Sequence, residues 1–372
     1  MAGRVAALDG LRGLAALIVV VHHCFLVSPA LAEFYRPAEV GPAAADSALS
    51  RTPLHLLWAG PQAVWVFFVL SGLVLTLPFL GDRSPTWRAY YPQRLVRLYV
   101  PVLGSIALAL LLIVLVPREA QDGFSWWVNA HDVDYDGSTV LQAGVLVFGA
   151  TQINNPLWSL QVEVLFSLLL PAYVWVARWA RGRPQLSWAL AGGALGSSAL
   201  ATALGASLAA FLAIFALGSL LAANATGVVA FFARVGGAAC WWTTAGALAL
   251  LTVPFAPWSL PEPVALPLTV AGAALLVALF MGAAPVAGVG VLRPVLWLGS
   301  RSFSLYVVHV PVIVAVTFAV GWTNPLICLA VCLPLSLLVA EGFFRVVERP
   351  SLRLSRSAGR ATGRLSGAAN RR

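Results

Sequence analysis

Charged residues are scarce in this sequence. Only 10% of its 372 residues carry a charge, whereas 60% are hydrophobic and the mean hydropathy is +0.87. Soluble globular domains contain about 25% charged residues, so this scarcity excludes a soluble globular protein. Lysine is absent, and all 23 Lys or Arg positions are arginine. The composition predicts an integral membrane protein.

Cysteine is also rare. The four cysteines all lie within apolar runs, and Cys328 and Cys332 have no histidine or acidic residue close to them in the sequence. This pattern excludes a paired metal-binding motif. We therefore expect reduced, buried thiols and no metal cofactor.

Long apolar runs occupy most of the chain. A helix needs about 20 apolar residues to cross the hydrocarbon core of a bilayer. The runs predict an all-α fold, a polytopic bundle of about ten transmembrane helices with both termini in the cytoplasm. The predicted spans are residues 12–31, 61–80, 98–116, 157–177, 186–204, 206–223, 238–255, 264–284, 302–320 and 324–344.

The distribution of arginine predicts the orientation. With a cytoplasmic N-terminus, all of the 23 arginines except Arg36, Arg51 and Arg118 fall on the cytoplasmic side, as the positive-inside rule requires. The net charge of +9 thus indicates orientation and contact with anionic lipid or phosphate. We expect no nucleic-acid partner.

Some segments lie outside these spans. Residues 140–150 are apolar but too short to cross, so they predict a re-entrant or interfacial helix. Residues 1–350 are predicted to form one membrane-embedded domain, and the Arg-rich residues 351–372 a disordered cytoplasmic tail. The first span and the small residues up to Ala32 imitate a secretory signal peptide, but the histidines within the span favour a retained helix.

Ionisable side chains within membrane spans cost at least about 2.5 kcal/mol each and indicate functional sites. Arg12 and His23 are eleven residues apart, which is about three helical turns and about 16 Å along the axis. They share one helix face, whereas His22 is rotated by about 100°. The spacing favours His23 as the working histidine. A structural hydrogen bond to a neighbouring helix is the alternative for either histidine.

Two further pairs are candidates. Arg94 and Arg97 are i, i+3 neighbours, and two adjacent guanidinium groups suit a phosphate; ordinary cytoplasmic arginines are the alternative. Ser159 and Glu163 are i, i+4 neighbours, with Trp158 at the predicted membrane boundary. A carboxylate within a span needs a partner, which predicts either pairing with a histidine or a buried structural contact.

A polar stripe marks one of the last spans. Ser302, Tyr306 and His309 are spaced i, i+4 and i+7 and share a helix face. The stripe suits either the lining of a polar cavity or a hydrogen-bonded seam between helices.

These stretches together resemble the acyltransferase 3 family of polytopic membrane acyltransferases, which includes bacterial glycan O-acetyltransferases and macrolide acyltransferases. The resemblance covers roughly residues 5–350, and it rests on the order and spacing of its motifs. The matching motifs are LDGLRGLAAL with Arg12 and His23 as R-x10-H, FFVLSG with Ser71, R-x-x-R at Arg94 and Arg97, LWSLQVE ending at Glu163, SFSLYVVH ending at His309, and VERP.

The resemblance implies an O-acyltransferase that takes an acyl group, expected to be acetyl, from cytoplasmic acyl-CoA. It implies His23 as the catalytic histidine, and Arg12, Arg94 and Arg97 as residues that serve the donor or the site. The remaining residues of these motifs are predicted to line the pocket: Ser71, Trp158, Ser159, Tyr306 and His309.

The acceptor is left open by the resemblance, because the family acylates sugars, peptidoglycan and secondary metabolites. Many relatives carry a fused extracytoplasmic hydrolase-like domain, which does not occur in this sequence. The implied partners are therefore acyl-CoA, a hydroxyl-bearing acceptor, membrane lipids and, as one option, a protein that completes the transfer outside.

Two mechanisms fit these residues. Neutral His23 could act as general base on the acceptor hydroxyl, with Glu163 orienting the imidazole; alternatively, His23 could carry the acyl group as a covalent relay. A proton-coupled transporter or flippase also needs buried histidine and glutamate. It is the competing function, although no inverted repeat is evident.

The outer loops at residues 32–60 and 117–139 are predicted to help select the acceptor. The second loop is rich in aromatic and acidic residues, among them Trp127 and His131. This composition suits a sugar and its hydroxyl groups, and a merely solvated acidic loop is the alternative.

Overall fold

The computed structural model describes residues 2–36, 49–82, 84–132, 134–147, 152–256 and 260–369, with side chains from residue 6 to residue 360. Within these ranges the regular secondary structure is helical, and no strand occurs. The predicted all-α class is therefore confirmed.

Sixteen α-helices follow one another along the described chain. They are α1 (Ala2–Phe25), α2 (Pro29–Ala32), α3 (Gly60–Thr76), α4 (Trp87–Leu115), α5 (Trp126–Asn129), α6 (Gly137–Val145), α7 (Leu157–Ala180), α8 (Pro184–Ala203), α9 (Ser207–Ala223), α10 (Ala225–Phe232), α11 (Gly237–Leu251), α12 (Glu262–Gly282), α13 (Ala284–Gly290), α14 (Arg293–Val320), α15 (Pro325–Phe343) and α16 (Arg349–Ala369).

Seven helical stretches among the described residues are long and apolar enough to cross a membrane, or eight if the pair α9 and α10, bent by 72°, forms one span. The predicted number of ten is larger, because two of the predicted spans correspond to α8, which is outside this set, and to α11, which has only 15 residues. A count of ten and the cytoplasmic position of the termini stay predictions. The short helix expected near residue 140 is α6, and residues 148–151 lie outside the described residues.

The helices form two compact units. The first comprises Met1–His22, Asp46–Asp82 and Leu169–Ser302, and the second comprises His23–Ala45, Arg83–Leu168 and Phe303–Arg372. Helices α1, α7 and α14 contribute residues to both units. One membrane domain over residues 1–350 stays a prediction.

In the first unit, α12 packs against α3, α8 and α11, and α9 packs against α3 and α8. Glycines let the backbones of α3 and α9 approach closely. A methyl group on Gly72 would overlap the carbonyl oxygen of Phe215, and one on Gly218 would overlap that of Val69. Close approach through small residues is typical of helix packing in membranes, where no hydrophobic effect drives helices together.

In the second unit, α4 packs against α6 and α16. The segment between α4 and α6 is hydrogen-bonded to the residue that follows α1 and to the last residue of α2. The hydroxyl of Ser125 donates to the carbonyl of Leu26 at 2.6 Å, and the indole of Trp126 donates to that of Ala32 at 2.8 Å. These bonds hold the following residues, Trp127 to His131, within the unit that contains His23.

The residues for which the sequence predicts a disordered tail continue as the helix α16 to Ala369, and a separate cytoplasmic tail stays a prediction. The small residues Ser351 and Ser355 of α16 are buried, and a methyl group on Gly359 would lie 3.4 Å from the carbonyl oxygen of Ala89 in α4. The i, i+4, i+8 spacing of small residues makes a smooth face for α4. The amino-acid composition alone gives no sign of this face, because a contact face of serine and glycine adds little hydrophobicity.

Candidate active site

All five histidines of the chain are buried, and four share one hydrogen-bonding pattern. In His22, His55, His131 and His309 the ring nitrogen Nδ1 lies 2.7 to 3.0 Å from a backbone carbonyl oxygen. A carbonyl oxygen only accepts, so Nδ1 carries the proton and donates in each of these rings. His23 is different, since its Nδ1 faces another imidazole.

His23 and His309 form a pair in the second unit. Nδ1 of His23 lies 3.1 Å from Nε2 of His309, and the two ring centroids are 4.9 Å apart. His23 is 8% exposed and His309 is fully buried. The sequence pointed to both residues, but only the structure brings them together.

The positions of the ring protons in this pair follow from the hydrogen bond of His309 to one backbone carbonyl. His309 donates from Nδ1 to the carbonyl oxygen of Leu305 at 3.0 Å, so in the neutral ring its Nε2 is an acceptor. His23 must then donate from Nδ1 to that acceptor, which leaves the lone pair of neutral His23 on Nε2. This relay of donors fixes the tautomer in which Nε2 can take a proton or attack a carbonyl carbon.

Near His309 on α14, polar groups form hydrogen bonds with residues 154 and 159. The hydroxyls of Tyr306 and Ser159 are hydrogen-bonded at 2.6 Å, and the rings of Tyr306 and His309 have centroids 5.9 Å apart. Asn154 donates to the carbonyl of Val307 at 2.8 Å. Of the predicted stripe on α14, Tyr306 is therefore hydrogen-bonded to Ser159 of α7, whereas His309 is hydrogen-bonded to His23.

Glu163 forms an ion pair with Arg94. Nε of Arg94 also donates to the hydroxyl of Ser167 at 3.0 Å, and that hydroxyl donates to the carbonyl of Glu163 at 2.7 Å. The side chains of Arg94 and Glu163 are 9% and 19% exposed, so each charge compensates the other in a poorly hydrated place. The cation that Glu163 requires is therefore an arginine.

The other predicted residues lie in different places. In the first unit, Arg12 donates from Nε to Ser302 at 2.9 Å and pairs with Asp9 at 3.1 Å. Ser71 is half-buried on α3 of the same unit. In the second unit, Arg97 is exposed on α4 and Trp158 is half-buried on α7. The roles of all these residues stay predictions.

Trp127 and His131 extend the histidine pair beyond what sequence analysis had placed at the site. The ring centroid of Trp127 is 5.3 Å from that of His23 and 4.8 Å from that of His131. The sequence offered the two residues only as part of an aromatic and acidic loop. In the sequence they stand out only as bulky residues without a carboxylate in an otherwise acidic loop. In the structure both are buried.

A comparison with models of protein families matches residues 5–341 to acyltransferase 3, described as an acyltransferase domain. The match covers far more than half of the chain. It includes His23, Glu163 and His309, and it ends before α16.

Two curated proteins are similar to this chain. It is 29% identical over 189 residues to the acyltransferase MdmB of Streptomyces mycarofaciens, which covers 51% of this chain and 44% of MdmB. It is 24% identical over 391 residues to the peptidoglycan O-acetyltransferase OatA of Listeria monocytogenes, which covers 93% of this chain and 55% of OatA. The chain thus spans about half the length of the curated relatives it matches. No solved structure matches it.

Proposed function

Since the chain belongs to the acyltransferase 3 family and is a multi-pass membrane protein, we propose that it transfers an acyl group, expected to be acetyl, from acyl-CoA to a hydroxyl of a saccharide acceptor. The name of OatA supports an acetyl group and a cell-envelope glycan. The observation that carries the mechanism is the hydrogen bond between His23 and His309.

His23 is the general base in this proposal. Its Nε2 removes the proton of the acceptor hydroxyl as the oxygen attacks the thioester carbonyl. The carbon–sulfur bond breaks, the acyl group becomes an ester of the acceptor, and the imidazolium returns the proton to the sulfur of coenzyme A. Atoms and charge balance without any other reactant.

His309 takes the orienting role that the sequence had offered to Glu163. Through Nε2 it accepts the proton of His23 Nδ1 and so holds Nε2 of His23 ready, as the aspartate of a serine-protease triad does for its histidine. Unlike an aspartate, His309 is neutral, so it orients the base without strongly stabilising the imidazolium.

Donor binding is assigned by charge. Coenzyme A is polyanionic, and guanidinium groups bind its phosphates bidentately. Arg97 is exposed on α4 and is our candidate for this contact in the second unit. Arg94 already compensates Glu163, so we expect it to hold the site in shape. Donor binding by Arg12 rests on the sequence pattern.

Two asparagine variants test the base. The full chain in lipid nanodiscs is incubated with radiolabelled acetyl-CoA and the disaccharide of N-acetylglucosamine and N-acetylmuramic acid. Asparagine can donate from the position of Nδ1 but has nothing at Nε2. We expect His23→Asn to lower kcat by about 10²- to 10⁴-fold, the usual contribution of a general base.

The matched control is His22→Asn, which retains a donor for the carbonyl of Trp58 and should keep kcat within a factor of about two. Equal losses in both variants, or undiminished transfer by a folded His23→Asn protein, would refute the assignment. An acetylated peptide containing His23, trapped by rapid quenching, would show that the histidine is a covalent relay instead.

A further inference from the structure

Within the second unit, the residues between α4 and α6 contain a buried histidine, His131, in which one of the two ring nitrogens has no hydrogen-bond partner among the described residues. His131 is 1% exposed, and its Nδ1 lies 2.8 Å from the carbonyl oxygen of Trp127. The other nitrogen, Nε2, is buried and has no hydrogen-bond partner. A buried polar atom without a partner is rare and costly, so this atom needs a hydrogen-bond partner from outside the described residues.

The chemistry of that atom is fixed by its neighbour. Because the carbonyl of Trp127 can only accept, neutral His131 carries its proton on Nδ1 and a lone pair on Nε2. Burial lowers the pKa of His131 to about 3, so the ring is neutral at physiological pH. Nε2 is therefore an acceptor and requires a donor such as a hydroxyl group.

A buried donor accompanies this acceptor. Nη1 of Arg118 donates to the hydroxyl of Tyr135 at 3.1 Å, while its Nη2 is buried and has no partner. The hydroxyl of Tyr135 donates to the backbone carbonyl of His131 at 3.2 Å, so Tyr135 connects the side chain of Arg118 to the backbone of His131. Neighbouring hydroxyls of a sugar can both donate and accept, and they match this pair of unsatisfied groups.

The position relative to the base follows from Trp127. Its indole lies against the rings of both His23 and His131, so a single aromatic side chain contacts both the histidine pair and His131. An aromatic face beside hydrogen-bonding groups is also suited to the apolar face of a sugar ring.

We propose that His131 and Arg118 form a binding site for the hydroxylated acceptor, in which Nε2 of His131 accepts a hydrogen bond from a sugar hydroxyl beside the catalytic histidine. This site rests on the proposed acyltransferase function for its meaning, but binding of a saccharide can be measured without turnover. It names, within the loop that the sequence predicts to help select the acceptor, the atoms that bind it.

Equilibrium binding tests the site. Isothermal titration of the same disaccharide into the full chain in nanodiscs gives Kd for the wild type and for His131→Asn, which retains the donor to Trp127 and lacks Nε2. We expect a rise in Kd of about tenfold, equivalent to about 1.4 kcal/mol. His131→Gln, which can place an acceptor near Nε2, should recover part of the affinity.

The control is His55→Asn in the first unit. His55 is equally buried and donates from Nδ1 to the carbonyl of Ser50 at 2.7 Å, so the same substitution there should leave Kd unchanged. No binding by the wild type, or the same Kd for wild type and His131→Asn, would overturn the site. Weakened binding in a protein that transfers no acetyl group would support the site and refute the acyltransferase mechanism.

Discussion

Replacing His309 by leucine tests whether the hydrogen bond between His23 and His309 sets the tautomer of His23. The leucine removes the acceptor that faces Nδ1 of His23 at 3.1 Å. His23 then either keeps a buried N–H without a partner, which costs about 1 to 3 kcal/mol, or moves the proton to Nε2. In the second tautomer the ring has no lone pair for the acceptor hydroxyl.

The cost sets the expected loss of rate. Because about 1.4 kcal/mol corresponds to a factor of ten, a penalty of 1 to 3 kcal/mol lowers kcat by roughly 5- to 150-fold, while KM for acetyl-CoA should change little. His309→Gln can present an amide oxygen to His23 and should retain more of the rate than His309→Leu. Steady-state transfer of labelled acetyl to the disaccharide measures both.

Size-exclusion elution and thermal unfolding must show that both variants are folded, since His309 is fully buried. If a folded His309→Leu protein keeps kcat within twofold of the wild type, His309 does not orient the base. If the glutamine and leucine variants lose the same amount, the loss reflects packing, and the inferred direction of the hydrogen bonds is wrong.

Three further predictions concern stability. Arg94→Met should lower Tm because it leaves the carboxylate of Glu163 poorly hydrated and without a compensating charge. In a double-mutant cycle measured by thermal unfolding, removing both charges should restore much of the lost Tm. Additive losses of Tm would contradict the pairing. Gly72→Ala should lower Tm because α9 leaves no room for a methyl group. At Gly193 an added methyl group would have no atom within 4 Å, so Gly193→Ala should be neutral or stabilising. Equal changes of Tm in the two variants would contradict the close approach of α3 and α9. Asp136 caps α6, and its hydrogen bonds to Thr139 and Ser138 lower its pKa from 3.8 to about 2. A lowered carboxyl pKa stabilises the folded state above pH 3.8 and is lost toward pH 2, so protection of the first-turn amides from hydrogen exchange should fall in this window, and the fall should be absent in Asp136→Asn.

The site shows what sequence reasoning can predict and where it stops. Helical spacing alone favours His23 over His22, because a step of one residue turns the side chain by about 100°; the role of His23 stays a prediction. The family motifs likewise led to Glu163, Tyr306 and His309. Spacing along one helix gives no information about the partner on another, so it offered Glu163 to a histidine, whereas the structure pairs it with Arg94.

The tail and the loop illustrate the same limit. Residues 351–372 have the composition of a disordered segment, whereas Arg349–Ala369 form α16, which packs against α4. His131 appeared in the sequence as one polar residue among several. The structure shows that Ser125 and Trp126 hydrogen-bond this loop to Leu26 and Ala32 and that Nε2 of His131 is buried without a partner among the described residues.

By itself the sequence determined the all-α membrane class, and it predicted His23 as the working histidine, because hydrophobicity and helical periodicity are local properties of the chain. Only the tertiary structure decided which polar groups share a proton. Hydrogen bonds between residues as distant as His23 and His309 depend on how helices far apart in sequence pack, and so does the tautomer on which the proposed chemistry depends.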